Sequence, residues 1–231
     1  METISKKDFV EIEYTGRIKE NNLVFDTTSE KVAKENKLNA NSNYGPVIIC
    51  IGEQQILSGL DKHIEGRESG KEYEIEIKPE DAFGRKDPKL IQLMPTAKFK
   101  QQKIQPMPGL QLNIDGVVGT IKTVSGGRTL IDFNHPLAGK ELLYNVKINR
   151  KVTDENEKLL GYLKLTLGSK GSNDIKTEII EGKAKITLKS KIPKEIQEML
   201  NGKITSLIPA IKSAEFAVED KKPNNLNIIK S

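Results

Sequence analysis

Val10, Ile12 and Tyr14 alternate with Glu11, Glu13 and Thr15, and Tyr73, Ile75 and Ile77 alternate with Glu72, Glu74 and Glu76. A period of two puts the apolar side chains on one face and the charges on the other. Each segment is therefore read as a strand with a dry side and a wet side. Together with the apolar runs Val47–Ile51 and Leu142–Ile148, they predict an antiparallel sheet. One short helix fits Ser58–Glu65, where Leu60 and Ile64 share a face and Gly66 caps the end.

The composition changes at Asp87-Pro88. From there to Phe133 the charge density falls, while Met94, Pro95, Pro106, Met107, Pro108 and Gly109 crowd together. Leu110–Ile114, Val117–Val124 and Thr129–Phe133 are short apolar segments separated by Asp115-Gly116 and Ser125-Gly126-Gly127, which are turn sequences. This is a small β-rich unit. A further unit begins near Val152, after a charged linker at Asp154–Lys158. Leu159–Leu167 and Ala184–Leu188 are read as strands, and Ile175–Ile180 faces the second across Glu181-Gly182 as a hairpin. Pro193 is placed as a first helical residue. Ile196, Met199, Leu200, Ile204, Leu207, Ile208 and Ile211 recur at three- and four-residue steps, and Pro209 is expected to end or kink the helix. Phe216 and Val218 suggest one more strand, and residues 221–231 are expected to fray.

The chain carries little of the usual equipment of catalysis. Between Tyr14 and Tyr144 lie Phe25-Asp26, Ile56-Leu57, Leu60 and Ala82-Phe83-Gly84, with almost no nucleophile, metal ligand or acid–base pair nearby. Apolar walls and one carboxylate suit few reactions, of which rotation about a prolyl amide is the foremost. The charges are nearly balanced, with 37 basic and 32 acidic residues and a net charge of +5. Few aromatics interleave the lysines and no basic run occurs, so nucleic acid is a weak candidate partner. The lone Cys50 excludes an internal disulfide and fits a reducing compartment; its apolar neighbours make it a buried small hydrophobe. No run of 18 apolar residues and no apolar leader segment occurs, so a cytoplasmic protein with no membrane partner is expected.

Five ordered segments resemble the FKBP-type peptidyl-prolyl cis/trans isomerases, in their SlyD-like, long archaeal branch. Val10–Gly16 resembles the first core strand of that family, and Val24-Phe25-Asp26-Thr27-Thr28 its site strand. Ile49–Asp61 is similar to the strand and short helix under the pocket. Lys78–Gly84 resembles the Pro-Glu-x-Ala-Tyr/Phe-Gly signature, and Asn134–Lys140 with Leu143–Val146 the closing segment and last strand. Residues 152–231 match nothing as firmly.

The resemblance implies an α+β fold. An antiparallel half-barrel sheet wraps a short helix, with an inserted small β-rich domain and a C-terminal α+β domain. The isomerase domain would be discontinuous, 1–86 plus 134–151. The insert-in-flap chaperone domain would be 87–133, and 152–231 the C-terminal domain. Tyr14, Phe25, Ile56, Leu57, Leu60 and Tyr144 would line an apolar cup for the proline ring. The Ile56 backbone N–H would hold the substrate chain, and Asp26 would lie near the rotating carbonyl. Phe83 stands where the family more often has Tyr, which removes a hydroxyl. Leu60 stands where small members have Trp, which marks the branch. His135 would order the rim of the site and, with Leu137, contact the substrate. Ile91, Leu93, Met94 and Phe99 would offer apolar surface to unfolded polypeptide, or else form the core of the insert. No cofactor or metal is implied; His63 and His135 are far apart in sequence and there is no His-rich tail.

The partners implied are unfolded or partly folded polypeptides containing X-Pro bonds. The apolar stripe from Ile196 to Ile211 is wide enough either to need its own sheet or to pair two copies of the chain, and a homodimer is the favoured reading. The alternative function is a holdase or ribosome-associated binding protein with weak isomerase activity. Phe83 favours it, and the intact Phe25-Asp26, Ile56-Leu57 and Tyr144 set opposes it.

Overall fold

A computed structural model describes residues 2–39, 43–168 and 175–219. Among the described residues there are twelve strands and five α-helices, and the chain divides into two units. The first unit comprises Met1–Arg17, Val24–Ile75 and Tyr144–Ser231; the second comprises Ile18–Leu23 and Glu76–Leu143.

The alternating segments become β1 (Phe9–Ile18) and β4 (Glu72–Ile77), in a five-stranded sheet ordered β2-β1-β9-β4, with β3 paired to β1. Here β2 is Val24–Thr27, β3 is Val47–Cys50 and β9 is Leu142–Lys151. The dry face carries Val10, Ile12, Ile75, Ile77, Val146 and Ile148, all buried. Thr15 pairs with Thr27 and Gly16 with Asp26, after which β1 bulges at Gly16/Arg17. Two further helices belong here, α1 (Glu30–Glu35) and α2 (Ser58–Ile64). Ser29 caps α1 by accepting from the Val32 N–H, and α2 buries Leu60 and Ile64 on one side, as its spacing predicts.

The segment read as a third domain, 152–231, falls in the first unit. Its described residues share one buried core with Phe9 and Cys50, which pack with Leu159, Leu163, Leu200 and Ile204. Leu159–Leu167 is not a strand. It is part of helix α4 (Glu155–Leu167). Asp154 accepts from the Glu157 N–H and so caps the first turn, while Arg150 pairs with Glu157 from β9. The segment taken as a charged linker is therefore a helix start. Leu159, Tyr162 and Leu163 then recur at helical spacing on the buried side.

β10 (Lys176–Ile180) and β11 (Lys183–Leu188) form the expected hairpin. Glu181 and Gly182 have φ of 48° and 79°, the left-handed pair a tight hairpin turn requires. β12 (Ser213–Val218) lies parallel to β11. The apolar stripe forms α5 (Lys194–Leu207), with Pro193 at the N-cap rather than inside the first turn, and the helix stops two residues before Pro209. Leu200, Ile204 and Leu207 are buried, while Ile196 and Met199 are exposed. Residues 221–231, expected to fray, lie outside the described residues. Among the described residues no helix is long and apolar enough to cross a membrane.

The second unit contains a four-stranded sheet ordered β5-β8-β7-β6: β5 (Ile91–Pro95), β6 (Gln111–Ile114), β7 (Val117–Ser125) and β8 (Arg128–Asp132). The helix α3 (Thr96–Gln101) follows β5. The three apolar segments of the sequence are β6, β7 and β8; β5 and α3 were not foreseen as elements. Both hairpin turns fall on the residues with turn chemistry, Asp115-Gly116 and Gly126-Gly127, all at positive φ. The core is small: Phe99, Ile121 and Ile131 are buried, with Met94, Ile104 and Phe133 among the partly buried neighbours.

Candidate active site

Three strands of the first unit bring Tyr14, Phe25, Asp26 and Tyr144 together. Tyr14 comes from β1, Phe25 and Asp26 from β2, and Tyr144 from β9. The Tyr144 ring lies 5.8 Å from that of Tyr14, tilted at 57°, and 5.8 Å from that of Phe25, edge to face at 86°. Both arrangements suit the quadrupoles of the rings. They close over Gly16. A Cβ there would stand 2.8 Å from Cε1 of Tyr144 and 2.9 Å from Cζ of Phe25. The glycine in β1 is thus a packing requirement of the aromatic wall.

The carboxylate is set by its backbone. Tyr14 N–H donates to Thr28 Oγ1 at 2.9 Å, and Thr28 N–H donates to the Tyr14 carbonyl at 2.9 Å. Thr27 Oγ1 lies 2.8 Å from Thr15 Oγ1. These bonds join the end of β2 to β1 on both sides of the pleat, so Phe25 and Asp26 are held in register with Tyr14. The sequence reading passed over Thr27 and Thr28 as clamps. Two buried hydroxyl residues in a row at the end of a strand were the available signal.

The Tyr14 hydroxyl donates to Asp26, and the Thr27 N–H does the same. Burial raises the pKa of Asp26 above the ordinary carboxylate value, and these two donors oppose the rise. Burial and the facing Asp26 charge push the Tyr14 and Tyr144 hydroxyls upward, so both remain protonated near neutrality. The result is a largely apolar wall with one hydrogen-bonded carboxylate on it.

Ile56 and Leu57 lead into α2 and are half-buried, and Leu60 on the helix is 1% exposed. The loop before them is organised by Asp61, whose carboxylate accepts from the Gly52 N–H at 3.0 Å and the Gln54 N–H at 3.0 Å. Asp61 was not singled out from sequence. A carboxylate one residue past Leu60, facing a loop that has Gln54 at φ 53°, is legible only with coordinates. Cys50 is buried as expected, and burial pushes its thiol up to about 12.

Phe83, His135 and Leu137 belong to the second unit. The Phe83 and His135 rings stack at 4.3 Å, almost parallel at 3°. His135 Nδ1 accepts from the Leu137 N–H at 3.2 Å, and the Gly139 N–H donates to the Gly84 carbonyl at 2.8 Å. The two loops of that unit are therefore tied to each other. Of the insert residues, Phe99 is 4% exposed and forms the core with Met94 packed against it, whereas Ile91 is 36% and Leu93 52% exposed. Phe99 is thereby corrected from surface to core. In a unit with so small a core, a phenyl ring is needed inside, and Phe99 fills the interior with Ile121 and Ile131.

A cavity of about 310 Å³ also borders Tyr14, lined by Glu13, Thr28, Ser29, Tyr73 and Asn145 among others. Its lining is largely polar and shares only Tyr14 with the aromatic cluster.

The sequence pattern of the FKBP-type peptidyl-prolyl cis-trans isomerases matches residues 1–100, and that of the FKBP26 IF domain matches residues 92–137. A short-type peptidyl-prolyl cis-trans isomerase of Methanocaldococcus jannaschii is 33% identical over 155 residues, which are 67% of this chain and 98% of that one. The SlyD isomerase of Helicobacter pylori is 32% identical over 123 residues, 51% of this chain and 66% of its own. A probable 16 kDa FKBP-type isomerase of Pseudomonas fluorescens is 31% identical over 108 residues, 45% of this chain and 71% of its own. The chain belongs to the FKBP-type peptidyl-prolyl cis-trans isomerase family, with SlyD-like relatives. It is a peptidyl-prolyl isomerase, and its fold is α+β.

Proposed function

We propose that the aromatic wall of Tyr14, Phe25 and Tyr144 is the isomerase pocket, that Ile56, Leu57 and Leu60 complete it, and that the insert at 87–133 holds unfolded polypeptide. Rotation of an X–Pro bond meets a barrier of about 18–20 kcal/mol, set by amide resonance. In the twisted state the resonance is lost and the carbonyl oxygen carries less negative charge. A dry pocket binds that form better than the planar, more strongly solvated one, which is catalysis by differential binding without a covalent step. Lowering the barrier by about 5–7 kcal/mol supplies four to five decades of rate.

In this reading Asp26 faces the rotating carbonyl and disfavours the planar state, whose oxygen carries more negative charge, while Tyr14 fixes the carboxylate. The Ile56 N–H holds the substrate backbone. Phe83, stacked on His135, lacks the hydroxyl that Tyr would carry at this position; one missing hydrogen bond is worth about 1 kcal/mol of binding. The observation that carries the reading is the convergence of two tyrosines, one phenylalanine and one half-buried carboxylate from three neighbouring strands. Isomerisation of a proline tetrapeptide tests it. Tyr14→Ala with Asp26→Ala should lose most of the activity, and wild-type rates in that variant would sink the assignment.

The chaperone part rests on exposed apolar side chains of the insert: Ile91 and Leu93 on β5, Met107, and Val117 and Val118 on β7. Such a surface adapts to many apolar segments and raises their local concentration at the isomerase. Refolding of a proline-limited protein should fall with Leu93→Ser while tetrapeptide turnover stays constant. If refolding instead survives the Tyr14→Ala, Asp26→Ala change undiminished, the protein acts as a holdase. A second copy of the chain is a further partner in this reading, through exposed Ile180, Met199 and Val218. Light scattering that returns a monomer mass at all concentrations would remove it.

A further inference from the structure

We infer that α5 braces the loop that delivers Ile56 to the substrate, with Lys203 and Glu53 as positioning residues for the isomerase. The inference rests on the substrate-holding role given above to the Ile56 N–H.

The loop Gly52–Gln55 connects β3 to Ile56. Its inner side is gripped by Asp61, which accepts from the N–H groups of Gly52 and Gln54 on either side of Glu53. Gln55 turns back, and its Oε1 accepts from the Cys50 N–H at 2.7 Å. The outer side is gripped from the C-terminal segment. Lys203 on α5 donates to Glu53 at 2.8 Å, linking positions 150 residues apart in the chain. Glu53 is the less exposed partner, its side chain 20% accessible.

The helices behind this ion pair are packed against the strand that feeds the loop. Cys50, the last residue of β3, is buried in the same core as Leu200, Ile204 and Leu207 of α5. Gly161 of α4 approaches Ile48 so closely that a Cβ there would stand 2.6 Å away. The C-terminal helices therefore hold β3 at one end of the loop and Glu53 at its middle, while Asp61 fixes the side facing α2. A loop with a residue at positive φ, Gln54, needs such over-determination to keep one conformation. The position of the Ile56 N–H, two residues after Gln54, inherits it.

Two readouts on the full chain test the idea: Michaelis parameters on a proline tetrapeptide, and hydrogen–deuterium exchange of the Gly52–Ile56 amides. An exposed pair of this kind is worth up to about 1 kcal/mol, so Lys203→Glu should raise KM by about fivefold with kcat held within about twofold. Glu53→Lys should do the same, both should speed loop exchange, and the doubly reversed variant should restore both readouts. A purely structural pair would lower the melting temperature without this KM-specific change. Unaltered exchange in Lys203→Glu overturns the brace. Faster exchange with an unmoved KM keeps the brace and overturns the role of Ile56.

Discussion

The aromatic wall and the insert sheet treat apolar side chains in opposite ways. Tyr144 is buried, and Tyr14 and Phe25 are half-buried against it; Tyr144 and Phe25 pack over Gly16, and threonine hydrogen bonds tie the Tyr14 backbone to the end of β2. In the insert, Phe99, Ile121 and Ile131 make up the buried core, and Leu93, Met107, Val117 and Val118 are left outside. A site that must favour one half-rotated geometry needs rigid walls. A surface that accepts many unfolded segments gains from the reverse, a thin core and uncommitted apolar area. Under the proposed function, one chain meets these demands with different materials, aromatic rings packed on one another in the wall and aliphatic side chains left exposed around the small core of the insert.

The strongest way to break the comparison is to empty the insert core. Ile131→Ala removes a fully buried side chain from a core with little else, and a cost of about 2–5 kcal/mol is expected. Amide exchange across 91–132 should rise sharply and refolding assistance should fail, while tetrapeptide turnover stays within about twofold because the aromatic wall draws none of its residues from this core. An equal loss of tetrapeptide activity would show that wall and insert are one cooperative structure.

The mirror experiment strikes the wall. Gly16→Ala places a methyl 2.8 Å from Tyr144 and 2.9 Å from Phe25, so at least one ring must move. A displacement approaching 1 Å in a positioning group lowers kcat/KM by up to about 100-fold. Tetrapeptide kinetics read this directly, and binding of an unfolded client should be unchanged. Activity at the wild-type level would mean that the rings are packing residues only.

A smaller effect comes from the seam of the insert. Lys86 pairs with buried Asp132 at 2.8 Å, and Asn134 exchanges hydrogen bonds with the Asp87 backbone N–H and carbonyl. Burial alone would raise the Asp132 pKa, but Lys86 and the Asn134 donors bring it down to about 2. Because the folded value lies below the unfolded one near 3.9, the stabilisation is present above about pH 4 and is lost as pH falls through 2. Lys86→Met should destabilise the insert by about 1–2 kcal/mol at neutral pH, discounted because the lysine is half exposed. Urea melts of wild type and variant should differ at pH 7 and converge as the pH falls through 2.

Much of this was legible beforehand. Strands β1 and β4 announced themselves through strict alternation, α2 through Leu60 and Ile64, and the hairpin turns through Asp115-Gly116 and Glu181-Gly182. Motif order placed Tyr14, Phe25, Asp26 and Tyr144 on segments that the sheet brings together. What failed has a common cause. Leu159–Leu167 is rich enough in leucine to satisfy either period, and only the cap at Asp154 settles it as a helix. Phe99 and Leu93 look alike in sequence, yet one fills the core and the other faces out. The Asp61 and Lys203 contacts with the Gly52–Gln55 loop depend on side-chain reach across the fold, and no local pattern encodes that.

The smallest predicted effect sharpens the electrostatic half of the comparison. Burial raises the Asp26 pKa, and the Tyr14 hydroxyl and Thr27 N–H pull it back. If the ionised carboxylate is the active form, kcat/KM should fall on the acid side with an inflection above the ordinary aspartate value of about 3.9. Tyr14→Phe removes a donor to the carboxylate and should move the inflection higher still, and Asp26→Asn should flatten the profile at a reduced rate. Stability must run the other way. A group bound more tightly to its proton in the folded state contributes most below the unfolded pKa, and that contribution declines as pH rises through the folded value. Magnetisation-transfer NMR on a proline peptide, beside melts at the same pH values, would read both curves. An inflection at or below that of free aspartate would remove Asp26 from the reacting surface and leave the wall purely apolar.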